Sequence, residues 1–130
     1  MIAMIKLVCL LKKRNGMTTE EFRSYNESHH VKVFDGVFDQ GVERYVRRYL
    51  TPFTDPATGT APPHGFDEIM ELWFNDRTVF ENLFLGVQDT DFRRLVAADE
   101  KKLFDLSATQ WYIVEEELDS ELKGAKEKYV

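Results

Sequence analysis

Apolar positions along this chain recur first at every second residue and then at helical spacing. The two periods alternate in an order that predicts β-α-β-β-α-β. Residues 4–13 are aliphatic and loosely alternating, so they predict a first strand. Ile5, Leu7, Cys9 and Leu11 share one face, and Lys6, Val8, Leu10 and Lys12 the other. Asn15-Gly16 is the turn out of it. Thr18 and Glu21 have capping-box spacing, in which hydroxyl and carboxylate each satisfy a free backbone N–H. The helix they open runs from Thr19 to about residue 40, with Phe22, Tyr25, Val33 and Val37 as its apolar stripe and Gly41 as its stop. His29 falls on that stripe, seven residues after Phe22, and His30 lies about 100° further round. A kink near Val31–Val33 is allowed.

Glu43 to Thr51 predicts a second strand, with Tyr45, Arg47 and Tyr49 on one face and Val46, Arg48 and Leu50 on the other. Pro52–Gly65 holds all four prolines and reads as a long loop, a type often used as a lid or binding loop. Asp67 to Asn75 is a third strand. Its Met70, Leu72 and Phe74 suit packing on helices, and Ile69, Glu71 and Trp73 face the other way. Asp76 caps a second helix carrying Val79, Phe80, Leu83 and Phe84. Gly86 breaks it, Asp89–Asp91 restart it, and Phe92, Leu95, Val96 and Leu103 continue the stripe to Phe104. Ser107 to Glu117 is a fourth strand, with Trp111 and Ile113 on one face and Tyr112 and Val114 on the other. Residues 1–117 therefore read as one domain, and 118–130 as a polar tail.

This order is the ferredoxin-like split unit, an α+β fold with a four-stranded antiparallel sheet. Two helices on one face leave the other face bare, and a bare apolar face needs a cover. The faces carrying Tyr45, Arg47, Tyr49, Ile69 and Trp73 are too aromatic to stay wet, so a homodimer is expected.

The run Met4–Leu11, then Lys13-Arg14-Asn15-Gly16-Met17-Thr18, Glu21-Phe22, Tyr25 and His30 resembles the opening of the EthD family. Phe66-Asp67-Glu68-Ile69-Met70-Glu71-Leu72-Trp73-Phe74 is similar to its third strand. The resemblance spans about residues 4–117. It implies a dimeric α+β barrel, in which two sheets close a barrel between subunits. It also implies relatives among muconolactone-type isomerases, polyketide cyclases, and dehydratase or decarboxylase proteins. The family's motif histidine falls on His30. The chain departs from the pattern at Asn26, where the family usually has Trp, and at Lys32, where it usually has Pro.

Composition narrows the field. A chain of 130 residues with 43% hydrophobic side chains and ten Phe can build one sizeable core. The net charge of −6 argues against a nucleic-acid partner. No segment reaches the roughly 20 apolar residues a membrane span requires. The apolar start is interrupted by Lys6 and lacks a cleavage site, so no signal peptide is read. A lone cysteine excludes an intrachain disulfide framework. A cytoplasmic protein is expected.

The candidate chemistry is proton transfer. His30 is the first choice, because imidazole exchanges a proton near neutral pH, as enolisation, cyclisation and dehydration require. Its structural alternative is a helix-end histidine. His29, on the stripe, reads as a partly buried ring. Arg47, between Tyr45 and Tyr49, can bind a carboxylate or steady an enolate, and Glu71 can pair with it. Tyr45, Tyr49, Trp73 and Trp111 can form a slot for a planar ring, or simply core and interface. Tyr25 positions the helix. His64, at the end of the loop, is a candidate second acid or base, or a solvated loop residue. Cys9, in an aliphatic setting, reads as buried and structural. Adjacent His29 and His30 diverge on a helix, and no CxxC, HxxxH, GxGxxG or GxxxxGK[ST] occurs, so neither metal nor cofactor is expected.

Together these features lead to a cofactor-independent lyase or isomerase acting on a small aromatic or lactone metabolite. In that reading His30, Arg47 and Tyr45 are catalytic, and Tyr25, His29, Tyr49, Glu71, Trp73, His64 and Trp111 shape the substrate site. The alternatives are a non-catalytic dimeric binding protein of a catabolic pathway and a cofactor-independent monooxygenase.

Overall fold

The computed structural model describes residues 4–39, 41–61, 65–87 and 90–122. Its elements are β1 (Ile5–Leu11), α1 (Thr19–Tyr25), β2 (Val42–Tyr49), β3 (Glu68–Phe74), α2 (Arg77–Phe84), α3 (Asp91–Leu103) and β4 (Gln110–Ile113). A π turn (Asn26–His30) and a 3-10 turn (Val31–Phe34) extend α1, and a second 3-10 turn (Leu106–Ala108) precedes β4. The strands form one antiparallel sheet in the order β2-β3-β1-β4.

Local chemistry explains most boundaries. Thr18 is extended, its hydroxyl accepts from the Glu21 N–H at 3.1 Å, and the Glu21 carboxylate accepts from the Thr18 N–H at 3.1 Å. Asp76 and Thr90 cap α2 and α3 in turn, so the second helical segment is broken where Gly86 suggests. Gly41 enters β2 at φ +118°, where a Cβ would come within 2.6 Å of Val79; only glycine fits there.

Two elements differ from the sequence reading. The first helix is not one α-helix to residue 40, because its hydrogen bonding widens to π after Tyr25 and tightens to 3-10 after His30. The fourth strand is Gln110–Ile113 rather than 107–117, because Asp105 caps the Leu106–Ala108 turn.

The sheet buries one face under the helices. Cys9 and Leu11 pack with Phe22, Leu103 and Phe104. Leu7, Leu72 and Phe74 pack with Phe80. The register then corrects the expected grouping of faces. Tyr45 lies opposite Leu72, Arg47 opposite Met70 and Tyr49 opposite Glu68, so all three point to the helices and not to the open face with Ile69 and Trp73. Alternation within a strand tells which residues share a face, but the pairing of strands decides which face is inside. The irregularity between Val42 and Arg44 makes that pairing harder to read.

The opposite face carries Lys6, Val8, Leu10, Val46, Ile69, Glu71 and Trp73 and joins neither core cluster. There the Trp73 ring lies between Lys6 Nζ, 4.0 Å from its centroid, and the Arg44 guanidinium at 4.6 Å.

Candidate functional site

The widened helical turn sets the site. An α-helical register puts His29 inward, but the π turn holds an extra residue and rotates the chain behind it. Phe22, Asn26 and His30 therefore face the interior, exposed by 0%, 1% and 5%. His29 is exposed instead, with its ring stacked on Tyr25 at 4.7 Å and its Nδ1 2.7 Å from the Ser28 hydroxyl.

His30 opens on a cavity of about 420 Å³ between the sheet and the helices. Apolar and aromatic side chains such as Phe34, Met70, Phe92 and Trp111 form most of its wall. The polar side chains within it are few: Asn26, His30, Tyr45, Glu68, Arg93, Glu100 and Thr109. A largely apolar pocket with a few convergent polar groups is the usual form of a small-molecule site.

His30 is oriented by α3. Its Nδ1 lies 2.7 Å from Asp99 Oδ2, and the Tyr25 hydroxyl donates to Asp99 Oδ1 at 2.5 Å. A carboxylate can only accept, so Nδ1 carries the proton and Nε2 keeps its lone pair. Phe34 and Phe104 meet the imidazole edge-on, each at 5.3 Å. Burial lowers the His30 pKa, and the hydrogen bond and charge of Asp99 offset this only in part. Burial by itself would raise the Asp99 pKa, but Tyr25 and His30 outweigh it and hold the carboxyl below its ordinary value. The pair is thus a neutral imidazole beside an ionised carboxylate at neutral pH.

Glu68 begins β3 and is 1% exposed. Its Oε1 accepts from Asn26 Nδ2 at 3.0 Å, and the same amide donates to the Tyr49 hydroxyl at 2.8 Å. The Asn26 carbonyl oxygen is buried with no hydrogen-bond partner among the described residues. Burial pushes the Glu68 pKa up to about 7, with Glu27 adding to it and Asn26 and Arg47 opposing. Glu100, also in the wall, is raised by burial and by Asp99.

The remaining candidates divide. Tyr45 lines the cavity, and burial raises its pKa. Trp111 lines it from β4, half-exposed and edge-on to Phe84 at 5.6 Å. Tyr25 acts on the site through Asp99. Tyr49 lies behind the wall, donating to Glu27 Oε2 at 2.5 Å.

Arg47 is held bidentate by Glu27, with Nε–Oε2 2.9 Å and Nη2–Oε1 2.7 Å, and is not in the cavity wall. Its expected partner Glu71 pairs with Arg48 at 2.8 Å on the opposite face, and Trp73 is on that face too. His64 lies outside the described residues, as does most of the 118–130 tail. The described part of the Pro52–Gly65 loop is exposed and does not line the cavity.

Sequence reasoning passed over Asp99, Glu68 and Glu100, and read Asn26 only as a departure from a pattern. Two signals were available. Asp99 falls three residues after Val96 and four before Leu103 on an apolar helical stripe. Glu68 alternates with Met70, Leu72 and Phe74 on an apolar strand face. A charge on a buried face is the informative exception.

Among the described residues no group of three or more His, Cys, Asp or Glu is placed to hold a metal. Nor is any described helix long and apolar enough to cross a membrane.

The split sheet with helices on one side, and a cavity between the layers, defines a ferredoxin-like α+β protein. The chain belongs to the EthD domain family, whose model matches residues 14–107. An ethyl tert-butyl ether D (EthD) family protein from Bacillus halodurans is similar in fold, with 16% identity, a TM-score of 0.58, and coverage of 88% of this chain and 100% of that one. A dimeric ferredoxin-like protein of unknown function from Jannaschia is 8% identical with a TM-score of 0.56, covering 87% of this chain and 99% of that one. A dimeric protein of ferredoxin-like fold from Bacteroides fragilis is 10% identical with a TM-score of 0.54, covering 86% and 95%. No curated protein matches the sequence. The family and the fold are those the sequence motifs suggest.

Proposed function

We propose that this chain is a cofactor-independent lyase or isomerase that moves a proton on a small cyclic, aromatic or lactone-like metabolite. The observation that carries this reading is His30, buried at the wall of an apolar cavity with Nδ1 on Asp99 and Nε2 unpartnered among the described residues. That arrangement fits a general base. Nε2 takes a proton from the ligand, and Asp99 stabilises the imidazolium that forms. Tyr25 holds Asp99 in place. Tyr45 and the aromatic wall orient the ring.

The protein works as a homodimer in this reading. The open face around Val46, Ile69 and Trp73 is the surface a second copy covers, and relatives of the same fold are described as dimeric. The single buried Cys9 suits a reducing compartment such as the cytoplasm.

A thermal-shift screen of wild type and His30→Ala against aromatic acids, lactones and polyketide-like phenols tests the site. A compound whose stabilisation changes with the mutation is the one to assay for turnover. Loss of turnover in His30→Ala by about 10²-fold or more is expected. Full turnover in that variant overturns the reading, and binding without turnover by the wild type favours an accessory binding protein.

A further inference from the structure

Glu68 is a buried acid that the His30 chemistry leaves unused. It begins an interior strand, lines the same cavity as His30, and is 1% exposed. Among the described residues one amide N–H, from Asn26, donates to it. Holding a buried carboxylate ionised takes two or three donors or a cation. Neither nearby guanidinium is given to Glu68: Arg47 is already bidentate on Glu27, and Arg93, in the wall of the same cavity, donates to the Asn82 and Leu83 carbonyls. The other groups facing Glu68 do not help the charge. Cys9 on β1 and Tyr45 and Tyr49 on β2 are neutral, each raised by burial, and Glu27 is an anion.

We propose that Glu68 is a second proton-transfer residue of this cavity: a neutral carboxylic acid that donates to the carbonyl oxygen of a ligand while His30 takes a proton from the adjacent carbon. This inference rests on the reading of His30 as a base and names the ligand class, an enolisable cyclic ketone or lactone. The Glu68 pKa of about 7 is in keeping with that state.

The step balances without a cofactor. His30 Nε2 removes the α-proton, and the C–H pair becomes the new C=C bond. The carbonyl π pair takes the proton of Glu68, giving an enol, an imidazolium and a carboxylate. Where the ligand carries a β,γ double bond the enol is a dienol. The Cβ=Cγ pair then takes the imidazolium proton at the γ carbon, and the enol double bond moves to Cα=Cβ. The enol O–H proton returns to Glu68 as C=O re-forms, which releases the α,β-unsaturated isomer and resets both groups. With a hydroxyl β to the carbonyl, the enol proton returns to Glu68, the C–O bond breaks, and the departing hydroxide takes the imidazolium proton as water. Asn26 is a positioning residue that holds Glu68 Oε1 and leaves the other oxygen for the ligand.

Two measurements test this. In the first, protein labelled with ¹³C at glutamate carboxyls is titrated by NMR, and the Glu68 resonance is identified by its absence in Glu68→Gln. The expected midpoint is close to 7; a midpoint in the ordinary glutamate range, about 4.3, overturns the proposal. The second follows deuterium incorporation from D₂O into 2-tetralone, an enolisable ring-fused ketone. Wild type accelerates exchange over buffer. Glu68→Gln, which keeps an acceptor for Asn26, slows it by about tenfold or more and removes the fall in rate above pH 7.

His30→Ala separates the two claims. Slow exchange in His30→Ala with full exchange in Glu68→Gln overturns the Glu68 role and leaves His30 standing. Full exchange in His30→Ala overturns the reading beneath it. No catalysed exchange by the wild type overturns the ligand class.

Discussion

At the scale of residues, the site turns on a pair of adjacent histidines that differ in almost everything but chemistry. His30 is buried on Asp99, whereas His29 is exposed beside Ser28. His29→Ala is therefore expected to change stability by no more than about 0.5 kcal/mol and to leave turnover intact. Asp99→Asn keeps the shape but lets Nδ1 become the acceptor. It is expected to lower turnover by about 10²-fold or more, with Tyr25→Phe losing less, in the steady-state assay that follows ligand identification. Glu68 has a signature in stability alone. Its native pKa is about 7 against an ordinary value of 4.5, so between these values only the folded state holds the proton. The contribution of Glu68 is full below pH 4.5, falls as pH rises, and levels off above 7. The span is about 3 kcal/mol at most. Urea unfolding of wild type and Glu68→Gln at steps between pH 5 and 8 checks this. The variant gains on the wild type as pH rises, and a constant difference counts against a perturbed Glu68.

At the scale of elements, the π turn is the feature that sets the candidate site. It lets Phe22, Asn26 and His30 follow one another at intervals of four on a single inward line. An ideal α-helix would turn that line away from the cavity by about 40° at each step. The start of the helix was legible because a capping box is a local device of two residues. Thr18→Ala is expected to cost about 1 kcal/mol in thermal or urea unfolding. The widening was not legible, because nothing in Asn26–His30 demands it locally. Packing of Asn26 on Glu68 and of His30 on Asp99, from two other elements, selects it. The break between α2 and α3 was legible from Gly86 and from the restart at Asp89–Asp91, within which Thr90 is the cap. Gly41→Ala is expected to destabilise by about 1–3 kcal/mol, because it adds a left-handed strain to a collision with Val79.

At the scale of the molecule, the sheet has one face under helices and one face open. Ile69 and Trp73 lie on the open side, whereas Tyr45, Arg47 and Tyr49 lie under the helices. If a second copy covers the open face, Ile69→Lys puts a charge into that interface. It is expected to shift sedimentation from dimer to monomer while far-UV circular dichroism keeps the fold. An unchanged dimer places the subunit contact elsewhere. The same division explains why Arg47 and Glu71 never meet: they stand on opposite sides of the sheet, and each finds a nearer partner, Glu27 and Arg48.

The sequence by itself determined the order of elements, the capped start of α1, the faces within β1 and β3, the broken second helix and the family. These rest on interactions between residues close in the chain, which leave a periodic or spaced trace. It also pointed to His30, through a motif rather than through geometry. Only the tertiary structure decided which face of β2 is inside, that His30 and not His29 is buried, and that Asp99 and Glu68 share its surroundings. Those depend on strand register and on contacts between residues far apart in the chain: His30 and Asp99 are separated by 69 positions, and Asn26 and Glu68 by 42. No local pattern encodes such a pairing, because the energy that fixes it appears only when the layers close.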